Sequence, residues 1–193
     1  MGSPYTGLVW KYLFRLIKGV GAFPVQFYPE INAKTGTQWE AQRRLTGMAS
    51  GERALSIIMT GDKPVDLKAR LFGYTGDGLE ADIYKNPSYT GGVANAVYNM
   101  NTIPGAAAVR EFQLLTGFTL EDDGEQIAAT ISLIGPQSNQ SKGQPLTSFG
   151  SNRILAPNTS FLLVFTSLSE AQDITARIEM YEGELDYPPV WLA

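Results

Sequence analysis

The side chains best suited to acid–base or metal chemistry in this chain are carboxylates, because its 193 residues include no histidine and no cysteine. Two acidic clusters stand out, Asp122-Asp123-Gly124-Glu125 and the pair Asp77 and Glu80 around Gly78. Carboxylates so grouped could offer oxygen ligands to calcium, or two acids to a glycosidic bond. The ligand order of an EF-hand is absent from both, and a glycosidase pair is defined by separation in space rather than by adjacency in sequence. Each cluster coincides with an Asp-Gly turn signal, so both are read as solvated turn residues. Without histidine or cysteine, Ser-His-Asp and Cys-His triads, His-ligated zinc and disulfides are all excluded. No catalytic, metal-binding or cofactor-binding residue is assigned, and no cofactor is expected.

Other residue groups suit binding rather than catalysis. Tyr89 and Tyr98 with Asn99 and Asn101 have the aromatic faces and amides of a sugar platform, although packing between strands is the plainer use of such residues. Residues 7–20 pattern as an amphipathic helix, with Lys11, Arg15 and Lys18 on one face and Trp10, Leu13, Phe14 and Ile17 on another. Burying four such apolar side chains is worth roughly 1.5–3 kcal/mol each, so docking on a partner or sister subunit is expected. The tail from Tyr187 to Leu192, with Pro188, Pro189 and Trp191, is apolar and cannot pair as a regular strand. It too is expected to dock. The protein-interface residues expected on these grounds are Trp10, Leu13, Phe14, Arg15, Ile17, Lys18, Tyr187, Trp191 and Leu192.

The elements that must carry these groups are mostly strands. Hydrophobic residues make up 44% and charged residues 18% of the chain, enough for a sizeable core and less charge than an average soluble domain carries. A net charge of −4 argues against nucleic acid as a partner. No apolar run reaches the length of a membrane span, and a membrane partner is not expected. Residues 25–50 show no sustained period and read as an extended arm. From Arg53 the pattern turns to period two through Met59, again from Val65 to Leu71, and from Leu79 to Ile83 after an Asp77-Gly78 hairpin signal. Weaker strands are expected at 93–98 and 109–115, then a clear one at 127–133. Residues 135–152 read as a long polar loop. Phe161 to Phe165 is a continuous apolar run, as for a strand covered on both faces, and Ile174 to Met180 alternates; the two read as a terminal hairpin.

Eight or so short strands with no interleaved helices predict an all-β, antiparallel two-sheet sandwich, jelly-roll-like, preceded by an arm with one short helix. The expected divisions are an arm over 1–50, the sandwich over 51–183 and a docking tail over 184–193.

Two stretches carry a resemblance. Arg153 to Thr166, with Leu155, Pro157-Asn158-Thr159 and the apolar run, followed by Ile174 to Glu182, resembles the terminal strands of the head decoration proteins of tailed phages. Met180 stands where that family carries an aromatic residue. Asp66 to Leu71, Gly78, Ile83-Tyr84, Asn86-Pro87, Tyr89 to Gly92 and Tyr98-Asn99 are similar to the family's middle strands and following loop. Together they span residues 53–182, about two thirds of the chain. The resemblance implies a jelly-roll-like sandwich on the outer surface of the virion, where it binds the major capsid protein, stabilises the shell and does no catalysis. It also implies a homo-oligomer, and the low surface charge points to a trimer. The alternatives from the residues themselves are a receptor- or glycan-binding fibre head and a carboxylate-only hydrolase.

Overall fold

The computed structural model describes residues 28–134 and 153–183. The expected helix over 7–20, the polar loop and the docking tail, and with them every expected interface residue, lie outside the described residues. The chain divides into two units at Ile31/Asn32, and the sandwich belongs to the second.

A helix, α1 (Tyr28–Lys34), ends at Gly36, whose φ of +72° suits a residue without a Cβ, and Thr37 N–H reaches back to Asn32 O. Twelve strands follow: β1 (Gln38–Met48), β2 (Arg53–Met59), β3 (Val65–Tyr74), β4 (Gly78–Lys85), β5 (Ser88–Ala94), β6 (Tyr98–Asn99), β7 (Gln113–Asp122), β8 (Glu125–Gln126), β9 (Ile131–Ile134), β10 (Arg153–Leu155), β11 (Ser160–Ser167) and β12 (Gln172–Glu182). Sheet A runs β10-β3-β12-β1-β6, and sheet B runs β5-β7-β2-β11-β4-β8 with β9 also on β4.

With β5 to β8 set aside, β10-β3-β12-β1 faces β9-β4-β11-β2. The chain passes between the two sheets at every connection except β4 to β9. This is the jelly roll, two Greek keys folded into a sandwich. The expected fold class is therefore present, with three corrections. The sandwich begins at Gln38 rather than at residue 51, since β1 pairs with β12 from Gln38↔Tyr181 to Leu45↔Ile174. Its inward residues include Ala41 and Arg43, which blur the apolar alternation. The turns after β3 and β11 join strands of opposite sheets, so neither is a hairpin. A corner between sheets and a hairpin within one look alike in sequence, because both need a turn between alternating strands.

The core lies between the sheets. Trp39, Leu67, Ile178 and Met180 of sheet A meet Ile58, Ile83, Phe161 and Leu163 of sheet B. A second cluster at the other end joins Phe72 and Ile174 to Leu79 and Phe165, with the Phe72 and Phe165 rings edge to face at 5.2 Å. The run in β11 is buried on both sides, as its composition predicts. Phe161, Leu163 and Phe165 point inward, while Leu162 and Val164 point out with Ile57 into a third cluster. That outer cluster is covered by Tyr89, Phe118 and Leu120 of the β5–β7 ribbon. The ribbon leaves its short ladder with β2 near Gly117 (φ +67°) and lies across the outer face of sheet B.

The Pro157-Asn158-Thr159 turn behaves as its residue types dictate. Asn158 sits in the left-handed region at φ +51°, its N–H donates to Gly61 O at 2.8 Å, and Thr60 Oγ1 donates to Ala156 O. The turn thereby fixes where β10 ends and β11 begins.

Candidate interaction surface

The segment between β4 and β9 is the main addition to the eight-stranded plan. It leaves and re-enters at neighbouring positions, since Lys85 pairs with Glu125 and Tyr84 with Gln126. Its ribbon is held by two aromatic rings, Tyr89 and Phe118, at 5.5 Å, and by Asp123, whose carboxylate accepts from Arg53 Nη2 at 2.8 and 2.9 Å. Burial raises the pKa of Tyr84 in the same region, with Asp82 and Asp123 adding to the effect.

Its middle, residues 95–112, bridges the edges of the two sheets. β6 pairs with β1 at Trp39 and Glu40, and Phe112, fully buried, stacks edge-on against Trp39 at 6.4 Å. The buried carboxylate of Glu182, the residue that ends β12, accepts from Phe112 N–H at 2.7 Å and from Glu111 N–H at 3.0 Å. Glu111 in turn accepts from Lys63 Nζ at 2.6 Å and from Asp62 N–H at 3.0 Å. The Lys63 hydrogen bond holds the Glu111 carboxyl below the usual carboxylate range, and the same bond raises Lys63. A charge-assisted network thus anchors the return limb of the insertion.

On this anchored frame the apolar side chains turn outward. Of the eight large hydrophobic residues exposed among the described residues, four lie between 93 and 109: Val93, Tyr98, Ile103 and Val109, the last 85% exposed. Scattered apolar residues are ordinary on a surface, but a concentration on one short, well-tethered segment makes that segment the candidate contact surface.

A second feature lies beside it. Sheet edges β1 and β2 face each other across an opening, because β6 covers only Trp39 and Glu40 and β7 covers only Ile57 to Met59. Between them is a cavity of about 230 Å³, roofed by Asn95, Ala96 and Tyr98. Its space comes from small residues. Arg43 of β1 lies opposite Ala176 of β12, and Ala41 is its inward neighbour on β1. Arg43 lines this space, and its guanidinium donates from Nη1 to Leu55 O at 2.7 Å and to Ser56 Oγ at 3.2 Å. No carboxylate lies within ion-pair distance of it among the described residues, and burial pushes its pKa down.

The residues singled out for chemistry are placed apart. Asp122 Oδ1 accepts from Gly124 N–H, making a local turn, and Asp123 is paired with Arg53. Asp77 lies at the β3–β4 corner, where its N–H donates to Ser169 Oγ. Among the described residues no three acidic side chains converge as they would around a metal ion. Tyr89 is in the ribbon and Tyr98 at the cavity mouth. The Asn99 and Asn101 amides donate to the backbone of Gly36 and Lys34, which ties the insertion down. Of the residues gathered here, the sequence singles out Tyr98 alone, as part of a possible sugar platform, and gives no binding role to Arg43, Val93, Ile103 or Val109. The one signal in sequence is an arginine at an inward position of a strand whose alternation is otherwise weak. No protein-family model matches the chain, and no curated protein shows significant similarity to it.

Proposed function

We propose that this chain is a structural virion protein that binds the outside of a phage capsid and cements it by bridging neighbouring subunits of the major capsid protein, acting as a homo-oligomer, most simply a trimer. The observation that carries this reading is the set of apolar side chains, Val93, Tyr98, Ile103 and Val109, held outward on a rigidly anchored insertion. Burying them against a partner is worth roughly 1.5–3 kcal/mol each, and a shell-bridging contact needs at least a standard interface of about 1,600 Å². The jelly roll supports the reading as a scaffold, and so does the resemblance of residues 53–182 to head decoration proteins. The absence of histidine and cysteine fits a binding role rather than hydrolysis.

The test is co-sedimentation with undecorated phage shells. Replacing Ile103 and Val109 together by serine is expected to leave the melting temperature unchanged and to weaken shell binding by more than about tenfold, a loss of 1.4 kcal/mol sufficing for each factor of ten. Full-strength binding by the double variant overturns the role given to this surface. Failure of the wild-type chain to bind any shell overturns the cementing function itself.

A further inference from the structure

We propose that the cavity between the edges of β1 and β2 is a binding site for a carboxylate carried on a short apolar body, with Arg43 as its counter-ion. The inference stands apart from the cementing reading and rests on the cavity's own chemistry.

Arg43 has five N–H donors, and only those on Nη1 have partners: Leu55 O and Ser56 Oγ. Nη2 and Nε make no hydrogen bond among the described residues. Other cations near carboxylates in the sandwich are paired: Arg53 with Asp123, Lys63 with Glu111, and Arg177 with Glu40 and Glu179. Arg43 has no counter-charge among the described residues, as Arg110 and Arg153 have none, but it alone of the three lines this cavity, and its lowered pKa records desolvation by burial. A carboxylate at Nη2 and Nε would meet the guanidinium in the two-point geometry that favours arginine over lysine.

The remaining lining fits the rest of such a ligand. Asn95 is fixed by its N–H to Leu114 O and by Oδ1 accepting from Thr116 Oγ1, which leaves its Nδ2 donor unused among the described residues. The floor is apolar, from Leu163, Phe165 and Ile178. An apolar pocket with a few polar groups is the usual form of a small-molecule site. At about 230 Å³ it lies below the roughly 300–1,000 Å³ of drug-sized pockets, so its occupant is the size of an amino-acid side chain. Two sources supply that chemistry: a free short-chain carboxylic acid, or a glutamate side chain of an extended peptide laid along the unpaired edge of β1.

The experiment is an NMR titration of the full chain with hexanoate, with hexanol as the uncharged control and with a capped tripeptide carrying a central glutamate between valines. Hexanoate is expected to saturate the backbone amides of Leu55, Ser56 and Asn95 with a dissociation constant on the order of 1 mM or tighter. Hexanol is expected to bind at least about tenfold more weakly, as is hexanoate to Arg43→Met, whereas Arg44→Met retains binding. If Arg43→Met does not fold, the hexanoate–hexanol comparison on the wild type, and its weakening by salt, decide the matter. Tighter binding of the tripeptide assigns the site to a peptide side chain, and preference for hexanoate assigns it to a free acid. No saturation by either probe, equal binding of hexanoate and hexanol, or undiminished binding by a folded Arg43→Met overturns the proposal.

Discussion

The two long sides of the sandwich are finished in different ways. On one side β3 and β4 carry short outer strands, β10 and β9, which pair over three and four residues and leave residues 68–74 of β3 without an outer ladder partner among the described residues. On the other, β1 and β2 are joined by an insertion that touches each edge briefly, leaving Gln42 to Met48 and Arg53 to Ser56 without an outer ladder partner among the described residues. An open edge invites further strand pairing, and the inward-pointing charge of Arg43 is one of the devices that blunts it. Both sides keep open edge, so what differs is the bridge: on the second side one insertion pairs with both sheets, through β6 on β1 and β7 on β2, and recognition is built on that bridge rather than on the bare edge. Among the described residues the first side offers Ile134 and Ile154 as exposed apolar residues, whereas the second gathers the cavity and Val93, Tyr98, Ile103 and Val109.

If the second side is held only by its anchors, removing the largest anchor should cost most. Phe112→Ala is expected to destabilise the fold by about 3–5 kcal/mol, as for other buried phenylalanines, and to release the insertion. Denaturant unfolding with amide exchange on residues 95–112 checks this. On the first side Leu155→Ala, also fully buried, should cost a similar about 2–5 kcal/mol without loosening the insertion. Equal exchange in the two variants would erase the distinction between the sides.

Glu182→Ala removes the acceptor of two backbone N–H groups, one of them buried, and is expected to cost about 2–3 kcal/mol in chemical denaturation. Asn158→Ala puts a Cβ without a compensating polar group into the left-handed region and should cost about 1 kcal/mol, whereas Asn158→Gly should be close to neutral. The two Asn158 substitutions act at the β10–β11 turn and remove no hydrogen bond of the insertion, so neither should alter exchange there, whereas Glu182→Ala should loosen it.

The smallest effect is the pH response of the Lys63–Glu111 clasp. The Glu111 carboxyl is lowered first by its hydrogen bond from Lys63, so its contribution is present above the unfolded carboxylate pKa and is lost as pH falls through the lower folded value. Lys63 is raised by the same bond, so its contribution is present below the usual lysine pKa and lost as pH rises through the higher folded value. The melting-temperature difference between wild type and Glu111→Gln should therefore be greatest near neutrality and shrink at both extremes. A difference that is flat with pH would remove the clasp from the anchors of the insertion.

These particulars show what the sequence made legible. The apolar run at 161–165 announced a strand covered twice, because every one of its residues is hydrophobic; Tyr89, Phe118 and Leu120 supply the outer cover. Asn158 announced its own backbone conformation. β1 was hidden because its inward row reads Trp39, Ala41, Arg43, Leu45, with Gly47 at φ +67° near a break in register before Met48. The β3–β4 and β11–β12 corners look like hairpins in sequence because alternation specifies a face, not a partner. The exposed surface at 93–109 was invisible because nothing in an apolar residue's identity says that its side chain is left in water.

The pairing of Lys85 with Glu125 has a consequence for how such a protein can change over generations. Residues 86–124 depart and return through adjacent rungs of one ladder, so a lineage could lengthen, shorten or exchange this cassette without rewiring the jelly roll. Energetics would constrain the exchange more than topology does. Ile57, Leu162 and Val164 are buried in the cluster that the cassette covers, and uncovering them forfeits roughly 1.5–3 kcal/mol each. A descendant that lost the cassette would have to acquire polar residues at those three positions or find another chain to cover them. Recognition would then evolve as a loan of hydrophobic surface from the interior of one molecule to the exterior of the next.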